Sequence, residues 1–142
     1  MSSAAEILAT YFEAQSVPAV AYYLHPVDVA PEMPFLPMVV CSDMPGGNMG
    51  YGWNECPVRL DGYAADETYP YNRPSCMTLW DDSVNPLLRN LRDVPDRRVV
   101  DGDVLLTVSA YSSPRLLFNP VNKLYYFETV VRAVVSLSQG ER

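Results

Sequence analysis

Histidine is almost missing from this chain of 142 residues: His25 stands alone, and lysine too occurs once, at Lys123. A single imidazole, followed by Pro26 in a proline-rich stretch, gives a serine or cysteine nucleophile no base, and no Gly-x-Ser-x-Gly elbow occurs. The three cysteines, Cys41, Cys56 and Cys76, form no Cys-x-x-Cys pair. A zinc site would need carboxylates to complete it, so no metal and no cofactor are expected, and the thiols read as reduced packing residues. Apolar runs stay well short of the roughly 18 residues that a membrane span requires. The opening residues, Met1-Ser2-Ser3-Ala4-Ala5-Glu6, lack a basic export stretch, so a product made and kept in a cytoplasm is expected. Positive charge is scarce as well, ten basic residues against seventeen acidic ones for a net charge of −7. Phosphate neutralisation needs clustered Lys and Arg, which argues against a general nucleic-acid binder but not against a local basic patch in an assembly.

What is present is the composition of a folded domain, 49% hydrophobic and 19% charged. One domain over 1–142 is expected, with no repeats, linkers or low-complexity tracts. All basic residues but Lys123 are arginine. Arginine suits planar bidentate interface pairs, and GC-rich coding produces the same skew.

Ser2 or Ser3, with Glu6 following, reads as the cap of a helix whose stripe is Ile7, Leu8, Tyr11 and Phe12, closed by Pro18. Strands follow at Ala19–Leu24, at Phe35–Cys41 (Pro37 placing it on an edge or a bulge) and at Cys56–Ala64, where Val58, Leu60, Gly62 and Ala64 form one row and Arg59, Asp61 and Tyr63 the other. His25–Pro34 and Asp66–Pro74 read as loops. Ser75 reads as the cap of a second helix carrying Trp80, Val84, Leu87, Leu88 and Leu91 on one face. Pro86 inside that run either kinks the helix or begins a new one capped by Asn85. After a charged connection, Val94–Gly102, come strands Asp103–Tyr111 and Leu124–Leu137, joined by a turn-rich segment from Ser112 to Pro120. The expected fold is α+β in the order α-β-β-β-α-β-β: one mostly antiparallel sheet of four or five strands with both helices on one face.

Chemical motifs are weak. Gly46-Gly47-Asn48-Met49-Gly50-Tyr51-Gly52 follows a strand but leads into no Gly-Lys-Ser/Thr and no helix, so it lacks the donors of a phosphate loop. It reads as a mobile loop or hairpin tip whose Met44, Met49, Tyr51 and Trp53 suit a contact arm for a neighbouring subunit. The acidic pairs Asp66-Glu67, Asp81-Asp82 and Asp101/Asp103 fit helix and turn roles, with a paired-carboxylate hydrolase left open. Trp53, Trp80 and six tyrosines (63, 69, 71, 111, 125 and 126) suit either interface cores or an ordinary core.

The last strand is the most telling. Tyr125, Phe127, Val131, Ala133, Val135 and Leu137 alternate with Tyr126, Glu128, Val130, Arg132, Val134 and Ser136. The second row is too polar for a dry core and too apolar for open water. That points to subunit contact at Tyr126, Glu128, Val130 and Arg132.

Phe35-Leu36-Pro37-Met38-Val39-Val40, and Ser113-Pro114-Arg115-Leu116-Leu117-Phe118-Asn119-Pro120 leading into Tyr125–Val135, resemble the tail terminator proteins of long-tailed bacteriophages. More loosely, they resemble the related head–tail connector and neck proteins. The resemblance implies a non-enzymatic virion protein, assembled in the host cytoplasm as a homo-oligomeric ring, a hexamer by family habit. Such a ring caps the tail tube protein and meets a head–tail connector or head-closure protein, while DNA passes through its lumen without specific binding. Glu128 and Arg132 would then line a subunit seam or the lumen, or else simply solvate an outer sheet face. A small-ligand-binding or hydrolase-like α+β domain of cytoplasmic origin is the alternative.

Overall fold

The computed structural model describes residues 3–22, 37–50, 53–64, 73–93, 98–100, 104–120 and 124–137. Helix α1 (Ala4–Ala14) starts where expected: the Ser3 side chain accepts the Glu6 N–H at 3.2 Å, and Ile7, Leu8, Tyr11 and Phe12 are buried. The helix stops at Ser16, whose φ of 65° turns the chain back so that the Val17 N–H reaches the Phe12 carbonyl at 2.9 Å. Strand β1 (Ala19–Tyr22) runs parallel to β2 (Met38–Asp43). The expected extension of the first strand to Leu24, and the loop bearing His25, lie outside the described residues.

β2 begins after Pro37 instead of containing it, and it lies between β1 and β4, not at an edge. An interior strand needs a donor at every ladder position, which proline lacks, so the strand starts one residue later. In the glycine-rich stretch β3 (Asn48–Gly50) pairs antiparallel with the start of β4 (Trp53–Tyr63). Gly46 and Gly47, at φ +92° and +127°, make the break between β2 and β3, and a Cβ on Gly47 would collide with the Glu55 carbonyl.

The second helix begins at Arg73, not at Ser75; Pro74 is tolerated because N–H groups in a first turn have no intrahelical partner. It runs as α2 (Arg73–Leu79), a π-helical turn (Trp80–Val84) and α3 (Asn85–Asp93). Asn85 does not cap a new helix at Pro86. Asn85 is helical (φ −59°, ψ −44°) and its N–H bonds back to the Trp80 carbonyl, five residues away. The widened turn ahead of the proline changes the local hydrogen-bond register, so the helix continues without restarting. Trp80, Val84, Leu88 and Leu91 remain buried; Leu87 is half-buried.

β5 (Arg98–Val100), read from sequence as connection, pairs with β6 (Val104–Tyr111). The supposed turn after Tyr111 is mostly strand. Only Ser112–Pro114 interrupts the ladder before β7 (Arg115–Asn119), which pairs with the start of β8 (Leu124–Leu137). The Thr129 hydroxyl donates to the Ser112 carbonyl at 2.6 Å, and the Val130 N–H reaches the Ser112 Oγ at 3.1 Å, stitching the break shut.

Two long hairpins thus build the sheet, each with an interrupted outer strand, β2/β3 against β4 and β6/β7 against β8. Their inner strands pair antiparallel along residues 53–63 and 136–126. The main path is β1-β2-β4-β8-β6-β5, with only β1–β2 parallel. The expected α+β class holds, with more strands than the four or five anticipated. Both helices pack on one face, over Val39, Cys41, Val58, Leu60, Leu106, Phe127, Val131 and Ala133. Gly62 belongs to that face because a Cβ there would run into the Phe127 ring.

Candidate functional site

Alternation along β4 and β8 sends the other row of each strand to the face away from the helices. Here Arg59, Asp61 and Tyr63 meet Tyr126, Glu128 and Val130 in register, with Arg115, Leu117 and Asn119 of β7 beside them. At one end Tyr63 and Tyr126 stack with centroids 4.9 Å apart, and the Asn119 amide donates to the Tyr63 hydroxyl at 3.1 Å. Burial pushes both phenols above their usual pKa, so they stay neutral hydrogen-bonding groups.

The middle is ionic. Asp61 is fully buried; its Oδ1 accepts from the Arg59 Nε at 3.1 Å. Oδ2 lies 3.0 Å from the same nitrogen but is poorly aligned, and it accepts no hydrogen bond among the described residues. Arg59 Nη2 also reaches Glu128 Oε2 at 2.6 Å, and Glu128 Oε1 takes Arg115 Nη2 at 2.8 Å. Burial raises the Asp61 pKa to about 7; Arg59 opposes that shift by charge and hydrogen bond, and Glu128 adds to it. The Ser42 hydroxyl, buried on the neighbouring β2, likewise has no hydrogen-bond partner among the described residues.

Toward the far end the face opens. Arg132 is exposed, with Nη1 3.5 Å from Glu55 Oε1, and Glu55 Oε2 accepts the Ser109 hydroxyl at 3.1 Å. Ser109 is the extra residue where the β6–β8 register shifts, and that bulge directs it at Glu55. Trp53, 39% exposed, caps this end.

The structure thus brings Tyr126, Glu128, Val130 and Arg132 onto one face, in different roles. Tyr126 is buried against Tyr63, Glu128 is held by two arginines, Val130 is half-buried and only Arg132 is exposed. Glu128 and Arg132 do not pair with one another. Met49 lies in β3 opposite Asn54, and Tyr51 lies outside the described residues. Arg115, Asn119, Ser109 and Glu55 escaped sequence reasoning. The polar row Arg59, Asp61, Tyr63 was visible as alternation, and pairing it with the charged row of the last strand was the available signal.

Among the described residues no group of three metal-ligating side chains occurs, and no helix is long and apolar enough to cross a membrane. Cys41 is fully buried and burial raises its pKa; the Cys76 thiol donates to the Tyr125 carbonyl at 3.2 Å. A cavity of about 370 Å³ between the second helix and the sheet is lined by Ser75, Thr78, Asp82 and Ser83, with one carboxylate among its lining residues. No family model matches the chain, and no curated protein is similar to it.

Proposed function

We propose that this protein is a structural building block, a ring-forming subunit of the kind that terminates the tail tube of a long-tailed bacteriophage and joins it to the head connector. The observation that carries this reading is the gradient along β8. Its far row passes from buried Tyr126, through doubly paired Glu128, to exposed Arg132, with Trp53 of β4 further along the same face. A rigid polar strip ending in an exposed aromatic has the make-up of an interface, with its aromatic anchor and hydrogen-bonded rim. Met44 and Phe118 add further exposed apolar surface.

A closed ring requires two different contact patches per subunit, one meeting the other on the next copy. In this reading the β3–β4 hairpin and the Arg132 end of β8 supply contacts to a neighbouring copy or to the tail tube protein. The net negative charge lets DNA pass without being held, because few cations are available to replace its counterions.

Light scattering on the purified protein, with negative-stain images of the same sample, tests the proposal. A closed ring of about six subunits with an open centre is the expected result. A monomer that also fails to bind tail tube protein would sink it, and would turn attention to the cavity beneath Ser75 and Asp82 as a small-ligand site.

A further inference from the structure

We propose that the outer edge of β1 is a docking edge for an extended, basic segment of another protein, which adds as a strand and sets its cations against Glu6 and Glu13. β1 ends the sheet among the described residues. Its hydrogen-bond phase follows from one contact: the Val39 N–H takes the Pro18 carbonyl at 2.9 Å. In a parallel ladder each residue points its N–H and C=O to the same side, and successive residues alternate. Val20 therefore faces β2, while Ala19 and Ala21 face outward. The Ala19 N–H confirms the phase, since it donates instead to Glu13 Oε1 of α1 at 3.0 Å. That leaves the Ala19 carbonyl and both backbone groups of Ala21 presented at the edge.

A groove of about 350 Å³ runs along this edge between β1 and α1. Its floor is alanine, at Ala9, Ala19 and Ala21, so another backbone can approach closely. Glu6 and Glu13 line it, and among the described residues no basic side chain does. Seven residues of helix separate the two carboxylates along α1, roughly 10 Å of rise. Arginines or lysines at alternate positions of an added strand, spaced about 7 Å, reach that range. Backbone bonding supplies affinity in strand addition, and side-chain complementarity selects the partner. An acidic or neutral strand would gain the first without the second. Glu13 guards the edge in the absence of a partner by occupying one donor, a common way of restraining an exposed strand.

The edge and the candidate interface face are separate surfaces, so this proposal stands or falls independently of ring formation. The test uses a blocked octapeptide of alternating arginine and valine, with an alternating glutamate–valine peptide as control, titrated into the full chain. The arginine peptide is expected to bind and the glutamate peptide not to. Ala21→Pro removes an outward N–H that the β1–β2 ladder does not use, so the fold should survive, as a thermal melt would verify. It should weaken binding about tenfold. The Glu6→Gln, Glu13→Gln double variant keeps an oxygen for the Ala19 N–H but removes the charge, and should weaken binding by about as much. Absence of binding by the arginine peptide, equal binding of the two peptides, or unchanged binding by folded Ala21→Pro would each overturn the proposal.

Discussion

Asp61 and Glu128 stand directly opposite each other on adjacent strands, two carboxylates in register at the centre of the sheet. Like charges so placed destabilise a strand pair unless a cation spans them. Arg59 does so, with Nε 3.1 Å from Asp61 Oδ1 and Nη2 2.6 Å from Glu128 Oε2. Arg59→Gln should therefore cost roughly 2–4 kcal/mol at neutral pH, because it strands a buried carboxylate. Urea unfolding should show a smaller loss near pH 5, where Asp61 is mostly protonated. An equal loss at both values would mean that the arginine matters for packing alone. Arg115, on the exposed side of Glu128, should be nearly silent when changed to alanine.

Asp61 also gives the fold a pH dependence of unusual sign for a carboxylate. Its pKa is raised to about 7, mainly by burial, against an ordinary value near 4 in the unfolded chain. The folded state thus binds the proton more tightly, and stability from this group is fully present below about pH 4. It declines as pH rises and is lost above about 7, a change on the order of a few kcal/mol. Asp61→Asn should flatten that slope in unfolding curves measured from acid to neutral pH. Glu128→Gln should shift the slope to lower pH, since the Glu128 charge contributes to the raised pKa. A wild-type curve that rises across this window would contradict the assignment.

Much of this face was legible as alternation, because a strand's period of two survives whatever the strand pairs with. Arg59, Asp61 and Tyr63 fell on one row, and Tyr126, Glu128, Val130 and Arg132 on another. Their partnership was not legible, since it joins residues far apart in sequence and depends on which strands become neighbours. Local punctuation misled elsewhere. Pro114 and Asn119-Pro120 suggested a turn where Arg115–Asn119 is strand, because the break needs only three residues and Ser112 and Thr129 hold it closed. The helix around Pro86 was hidden for a similar reason: a π-helical turn changes the bonding register without leaving a residue signature.

Gly62 offers a check on the other face. A Cβ there would overlap the Phe127 ring, which itself packs against Trp80 with centroids 5.3 Å apart. Gly62→Ala should lower stability by about 1–3 kcal/mol, the range for overpacking a filled core. Adding Phe127→Leu should recover part of that loss by making room, so the double variant should be more stable than additivity allows. Strict additivity of the two changes would show that the ring moves aside easily.

Trp53 separates folding from assembly. It is 39% exposed at the end of the β3–β4 hairpin, opposite Ser136, away from the buried core. Trp53→Ala should lower the melting temperature only modestly, since the residue is 39% exposed and stands apart from the buried core. An aromatic anchor at the centre of an interface commonly contributes about 2 kcal/mol or more, so the same change should drive any ring toward smaller species in light scattering. Arg132→Ala, at the same end of the face, should act in the same direction and less strongly. If Trp53→Ala instead unfolds the chain, the indole supports the hairpin; if it folds and assembles unchanged, the contact lies elsewhere on the sheet.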